Sequence, residues 1–161
     1  MAENYGIEKI LELMDSILAT LQEYDKQTDS MINAELDVLQ QGLIARNELI
    51  ETLEDLKDDL ETVVELEEPE EQSLLKALIN GSYVNVPLDD DHKKVQLSQR
   101  NIAVAKRRIV DKDKIISGQF KERHIDSRRE LEQLKQTKQK IGYYNSAVVG
   151  KTTGQSLNKN L

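Results

Sequence analysis

The sequence contains no cysteine and no tryptophan, and only one phenylalanine and two prolines occur among its 161 residues. Without cysteine, the chain cannot form a disulfide, a thiolate metal site or a thiol nucleophile. Because aromatic residues make up only 4%, the core must be filled by Leu, Ile, Val, Met and Ala. The scarcity of proline leaves few positions at which a helix has to end, so the composition favours an all-α protein.

Long uninterrupted apolar segments are also missing from the sequence. No segment approaches the roughly 18 consecutive apolar residues that indicate a membrane-spanning helix. Residues 1–6 lack the basic start and the apolar stretch of a signal peptide. We therefore expect a cytoplasmic protein without membrane insertion, and its length favours a single domain.

Charged residues are abundant and are divided between the two ends of the chain. Residues 1–91 carry 24 acidic and 5 basic residues, whereas residues 92–161 carry 6 acidic and 17 basic residues. Segments of opposite charge attract, so we expect the two parts to pack against each other. Nucleic-acid binding is not expected, because the basic set lacks interleaved aromatic residues that could stack on bases. This set consists of Arg100, Lys106, Arg107, Arg108, Lys112 and Lys114.

Two long stretches have apolar residues at every third or fourth position, which predicts two amphipathic helices at about residues 4–26 and 31–67. Between them, the polar cluster from Asp25 to Ser30 predicts the first chain reversal, because such side chains favour turns and helix caps. The two helices should form a long antiparallel hairpin. The apolar stripes comprise Ile7, Ile10, Met14, Ile17, Leu21 and Tyr24, then Ile32, Leu36, Leu39, Leu43, Ile50, Leu53, Leu60 and Val64, with Arg46 at one position of the second stripe.

A short third helix is predicted at about residues 70–80. Pro69 either ends the second helix or opens the third at its first turn. Gly81 is a natural C-terminal cap, because glycine readily adopts a positive φ. Residues 82–88 alternate between apolar and polar residues, but no other segment could pair with them as a strand, so they are interpreted as a loop with apolar anchors.

A long fourth helix is predicted from residue 91 to residue 141, with Asp89, Asp90 and Asp91 as the residues that cap its start and complement its dipole. Its stripe is Val95, Ile102, Ala105, Ile109, Ile116 and Phe120. The predicted fold is therefore all-α: an antiparallel hairpin and a long C-terminal helix in one bundle domain, residues 1–141. Residues 142–161 are rich in Gly, Ser, Thr and Asn, so a flexible tail is predicted.

The tail and the end of the fourth helix hold the candidate binding residues. Apolar residues in a segment too polar to fold alone often become ordered on contact with a partner, although a plain disordered terminus would look the same. The candidates for binding a protein partner are Leu131, Leu134, Ile141, Tyr143, Tyr144, Val148 and Val149.

Motifs for catalysis or metal binding are not convincing in this sequence. Residues 145–152 resemble a phosphate-binding loop, but Asn145 replaces its first glycine, and the preceding strand and following helix are missing. Asp89, Asp90, Asp91 and His92 are better explained by helix capping than by metal binding. No catalytic residue, cofactor or metal is predicted, and the protein is not expected to be an enzyme.

The order of these elements resembles the FlgN-type flagellar export chaperones and, less closely, the FliT-like chaperones. The resemblance covers most of the chain and includes a long helical hairpin, a short intervening segment, a long last helix and a tail. Its local support is Arg46, Glu48, Leu49, Ile50 and Leu53 in the second helix and Gln99, Arg100, Asn101 and Ile102 in the last. The length of the tail and the division of charge depart from the family pattern.

The resemblance implies a cytosolic chaperone that needs neither ATP nor metal. It would bind the helical termini of hook–filament junction proteins and deliver them to the export gate, with an amphipathic client helix held by the candidate residues. The expected partners are therefore an export client, an export-gate component and a second copy in a weak homodimer. The alternative is a structural or adaptor coiled-coil protein that acts by self-association.

Overall fold

A computed structural model describes the backbone of residues 2–141 and the side chains of residues 6–124 and 126–136. The described residues form four helices and no strand, which confirms the predicted all-α helical bundle. The helices are α1 (Ala2–Met31), α2 (Leu36–Glu65), α3 (Pro69–Ile79) and α4 (Asp90–Ile141). The chain divides into two compact units, Met1–Lys112 and Asp113–Leu161, so α4 begins in the first and ends in the second.

The first unit is built around one apolar core to which all four helices contribute. From α4, Val95, Ile102 and Ile109 are buried at seven-residue intervals, which places them on one face of the helix. Each aliphatic side chain that is fully removed from water contributes about 1.5–3 kcal/mol. From the other helices, the core takes Ile10, Met14, Leu21, Leu60, Val64, Leu75 and Leu78.

Helices α1 and α2 form the predicted antiparallel hairpin. The guanidinium of Arg46 in α2 contacts Tyr24 in α1, and Gly42 in α2 lies against Met31 at the end of α1. At the other end of the hairpin, Gly6 approaches the side chain of Glu67, just beyond α2. Residue numbers rise along one helix as they fall along the other, so the two helices run in opposite directions.

The predicted position of the first reversal is wrong. The cluster from Asp25 to Ser30 is helical, α1 continues to Met31, and the turn occupies residues 32–35. Thr28 is buried, and a helix can accommodate it because its hydroxyl donates a hydrogen bond of 2.8 Å to the carbonyl oxygen of Tyr24. The chain reverses at Asn33, which has a positive φ of 58°.

The segment between α2 and α4 agrees with its prediction. Pro69 occupies the first turn of α3, where its missing N–H costs no hydrogen bond. Gly81 follows the helix with φ of 74°, which is the left-handed conformation expected at a C-terminal cap. In the loop that follows, Val84 and Leu88 pack against the core, whereas Tyr83 is 90% exposed.

The first part of α4 runs parallel to α1. The Nζ atom of Lys112 contacts Asp25, near the end of α1. Seven residues earlier in each helix, Ala105 and Leu18 line the same groove. Residue numbers therefore rise together along the two helices. The long connection through α3 and the loop allows α4 to start at the same end of the bundle as α1.

A pair of glycine substitutions tests how closely the hairpin is packed. A Cβ on Gly42 would lie 2.4 Å from Cγ of Met31, which is itself buried. We expect Gly42→Ala to lower the free energy of unfolding by about 1–2 kcal/mol, because overpacking outweighs the gain in helix propensity. The measurement is urea denaturation followed by circular dichroism.

Gly118→Ala is the matched control, because a Cβ there meets no atom within 4 Å and the residue lies in α4. We expect it to stabilise the protein by up to about 1 kcal/mol. Equal stabilisation by both substitutions would contradict the close contact between Gly42 and Met31.

Candidate partner-binding surface

The predicted binding residues lie only partly within the described structure. Leu131 and Leu134 are on α4, where Leu131 is half-buried and Leu134 is 52% exposed. Ile141 is the last residue of α4, but its side chain lies outside the described residues. The remaining candidates, Tyr143, Tyr144, Val148 and Val149, also lie outside the described residues.

Leu131 and Leu134 form a narrow apolar edge on a polar helix. They are three residues apart and therefore lie on neighbouring turns of the same side of α4. Every other described side chain from Asp126 to Gln136 is polar and exposed. This edge is too narrow to form a core, and it presents apolar surface to any helix that lies along it.

The first part of α4 carries three further large apolar residues that are exposed and that the sequence analysis did not select, Leu97, Val104 and Val110. Leu97 is 57% exposed and Val104 is 56% exposed, although both belong to the well-packed first unit. Leu97 and Val104 are seven residues apart and share one side of the helix. The exposure of Leu97 and Val104 could have been predicted from the sequence, because both are out of phase with the buried stripe of Val95, Ile102 and Ile109.

One contact between α1 and α4 joins acidic side chains of the first part of the sequence to a basic side chain of the second. Lys112 donates a hydrogen bond of 2.7 Å to Oδ1 of Asp25, and its Nζ also lies 2.7 Å from Oδ1 of Asp29. The hydrogen bond to Asp25, followed by that to Asp29, raises the pKa of Lys112. The predicted attraction between acidic and basic segments is therefore present here. Arg100, Arg107 and the rest of the basic set apart from Lys112 are exposed.

His92 forms a contact that joins α3 to the start of α4. Its Nδ1 lies 2.6 Å from Oδ1 of Asp89, and its Nε2 lies 2.6 Å from Oε1 of Glu71. Both ring nitrogens can donate only in the imidazolium form, so two carboxylates are best matched by a charged ring. Asp89 also accepts a hydrogen bond from the backbone N–H of His92, which confirms its predicted role as a cap.

The pKa values of this cluster follow from its contacts. Burial of the ring alone would lower the pKa of His92, but the hydrogen bonds to Glu71 and Asp89 outweigh it and raise the pKa above 6.5. The hydrogen bond from the backbone of His92, followed by that from its ring, lowers the pKa of Asp89 below 3.8. The contact with Glu71 was not predicted, because the two residues are 21 positions apart and meet only through the fold of α3 and the loop that follows it.

Arg46 is accommodated in the apolar stripe of α2 by contacts with α1. Its guanidinium lies over the ring of Tyr24, with Cζ 4.3 Å from the ring centre, and donates a hydrogen bond to the tyrosine hydroxyl. It also lies 3.6 Å from the sulfur of Met31. These contacts explain how a charged residue occupies a position of the apolar stripe, and all of them are made with residues of the same chain.

Neither a group of metal ligands nor a membrane-spanning helix is found in the part of the chain that the structure describes. Within those residues, no group of three or more His, Asp or Glu side chains is arranged to hold a metal ion. None of the helices within them is long and apolar enough to span a membrane. The segment that resembles a phosphate-binding loop, residues 145–152, lies outside them.

Comparison of the chain with protein-family models, with curated proteins and with solved structures gave no match.

The ion-paired histidine predicts a pH-dependent stability. A raised pKa for His92 means that its contribution is complete below about pH 6.5 and is lost as the pH rises through the raised value. The lowered pKa of Asp89 means that its contribution is lost as the pH falls below about 3.8. The cluster therefore stabilises the fold most between about pH 4 and pH 6.5.

His92→Gln should lower the free energy of unfolding by about 1–2 kcal/mol within this range, and the loss should shrink toward about pH 9. The measurement is urea denaturation at a series of pH values. His124→Gln is the control, because it removes the second of the two histidines. A loss for His92→Gln that does not change with pH would show that the ring acts by packing rather than by charge.

Proposed function

We propose that this protein is a cytosolic export chaperone that binds the helical termini of flagellar hook–filament junction proteins and delivers them to the export gate. The proposal is supported by the resemblance to FlgN-type chaperones, carried by Arg46, Leu49 and Leu53 in α2 and by residues 99–102 in α4. It is also supported by the arrangement of a helical hairpin, a short helix and a long last helix.

The observation that carries the proposal is the apolar edge on the second unit. Leu134 is 52% exposed and Leu131 is half-buried, in a segment of α4 whose other described side chains from Asp126 to Gln136 are polar. An amphipathic client helix can pack its own apolar stripe along such an edge. This is helix-on-helix recognition, in which apolar anchors recur at three- and four-residue intervals.

The free energy of binding expected for a client requires more apolar anchors than these two leucines. Complete burial of a leucine contributes about 1.5–3 kcal/mol, whereas association costs at least about 4 kcal/mol in lost translational and rotational freedom. A micromolar complex needs a net binding free energy of about −8 kcal/mol. Leu131 and Leu134 alone cannot reach this value, so Ile141, Tyr143 and Tyr144 are assigned as the further anchors.

Self-association through α4 is the second candidate function. It is favoured by Leu97 and Val104, which keep more than half of their surface exposed although they belong to a packed unit. In a structural coiled coil, these residues would pair with a second copy and the tail would have no role. A binding experiment with and without the tail separates the two functions.

The test is a calorimetric titration of the helical terminus of a purified hook–filament junction protein into the full-length protein and into a chain ending at Ile141. We expect micromolar or tighter binding to the full-length protein and at least about tenfold weaker binding to the shortened chain. If neither chain binds the junction protein, the chaperone proposal is wrong. Equal binding by both would remove the tail from the site but keep the function.

The two tyrosines of the tail allow a sharper prediction. Tyr143→Ala combined with Tyr144→Ala should weaken client binding by about tenfold or more, because aromatic anchors dominate such interfaces. The melting temperature should stay within about 1 °C of the original, since the rings are proposed to contact the client rather than the core. Calorimetry and thermal unfolding measure the two quantities.

Tyr83→Ala is the matched control for the tyrosine pair. Tyr83 is 90% exposed in the loop before α4 and is not one of the proposed anchors, so its loss should change neither quantity. A large fall in melting temperature for the pair at Tyr143 and Tyr144 would instead show that these rings belong to the core.

A further inference from the structure

A groove runs between the parallel helices α1 and α4 of the first unit. It has a volume of about 310 Å³. Its lining residues from α1 are Leu18, Gln22 and Asp25, and those from α4 are Asn101, Val104, Ala105 and Arg108. All of these residues belong to the unit Met1–Lys112, whose helices share one core.

The floor of the groove is apolar and remains accessible. Leu18 and Ala105 are partly buried and pack against the core, whereas Val104 is 56% exposed. Leu97, seven residues before Val104, continues the same line along α4 and is 57% exposed. From Asn101 to Arg108, the lined part of the groove spans about 10 Å of helix, or roughly two turns.

The wall formed by α1 is acidic. Gln22 lines the groove, and Asp15 and Glu8 precede it at seven-residue intervals, so all three lie along one edge of the helix. Asp15 and Glu8 are exposed, and no ion pair is formed by either within the described residues. This edge therefore offers two carboxylates to a partner.

The wall formed by α4 is basic. Arg108 lines the groove directly, while Arg107 lies three residues after Val104 and is therefore its neighbour on the helix surface. Both arginines are exposed, and within the described residues neither of them forms an ion pair. The contacts of Lys112 with Asp25 and Asp29 occupy the charges at one end of the groove, beyond Arg108.

We propose that this groove is the docking site for an amphipathic helix that carries basic residues on the flank beside α1 and acidic residues on the flank beside α4. The apolar stripe of that helix packs on Leu18, Leu97 and Val104. This inference rests on the proposed function in taking the helix to belong to an export client. Turning a helix end for end exchanges its flanks, so the two walls also determine the direction in which the client lies.

The charge of the groove also argues against a second copy docking through α2. The exposed surface of α2 carries Glu51, Glu54 and Asp58 with Lys57 as its one lysine. Such a surface would match the arginines of α4 but would repel Asp15 on the opposite wall. A partner with both signs of charge on its two flanks satisfies both walls at once.

The first experiment measures the charge pattern that the groove prefers. Three fluorescent helical peptides of about 20 residues share one leucine stripe and carry Lys on one flank and Glu on the other, Lys on both, or Glu on both. Anisotropy titrations into the full-length protein should give at least about tenfold tighter binding for the mixed peptide. That preference should weaken as the salt concentration increases.

The second experiment locates the binding site with a matched pair of variants. Val104→Lys places a charge on the floor of the groove and should weaken binding of the mixed peptide by about tenfold or more. Val110→Lys is the control, because Val110 lies on the same helix with a similar exposed fraction of 51% but outside the groove lining. It should change the affinity by less than about twofold. Circular dichroism verifies that both variants fold.

The same variants separate this inference from the proposed function. Equal binding of the three peptides, or equal effects of Val104→Lys and Val110→Lys, would overturn the inference. So would a change in the sedimentation of the free protein caused by Val104→Lys without peptide binding, because a second copy would then occupy the groove. If a junction protein binds the original protein and Val104→Lys equally, the chaperone function stands and the groove is not its site.

Discussion

The structure depends on the burial of one line of α4 against the hairpin of α1 and α2. Val95, Ile102 and Ile109 recur every seven residues, and each loses nearly all of its exposed surface in the core of the first unit. At about 1.5–3 kcal/mol for each side chain, these three contribute as much as the net stability of many small domains. The hairpin has few aromatic residues with which to cover its apolar face, so this line of α4 completes the core.

Polar contacts then determine how the helices are aligned along this core. Lys112 binds Asp25 and Asp29 near the end of α1, and His92 joins the start of α4 to Glu71 in α3. Both contacts connect an acidic residue before position 92 with a basic residue at or after it. The charge division is therefore part of the fold at these points, although most of the basic residues on the first part of α4 remain exposed and face solvent.

Much of the fold was predictable from local signals. The spacing of apolar side chains predicted α1, α2 and α4, Pro69 and Gly81 predicted the limits of α3, and Asp89 predicted the cap of α4. The first turn was misplaced, because the polar residues before Met31 can satisfy their hydroxyls within a helix as Thr28 does.

The contact of His92 with Glu71 depends on tertiary structure, and Leu97 and Val104 were missed because they lie outside the main stripe. Of the predicted binding residues, Leu131 and Leu134 have described side chains.

Under the proposed function, the free protein is a monomer or a weak dimer that binds a client helix, whereas a structural scaffold would be complete only as an oligomer. The most direct measurement is sedimentation equilibrium of the free protein, followed by circular dichroism as a junction-protein helix is added. The proposed function predicts a species near 18.4 kDa or a weakly associating dimer, and a helical signal that exceeds the sum of the separate components. A tight oligomer whose helical signal does not increase on addition of the client would contradict it.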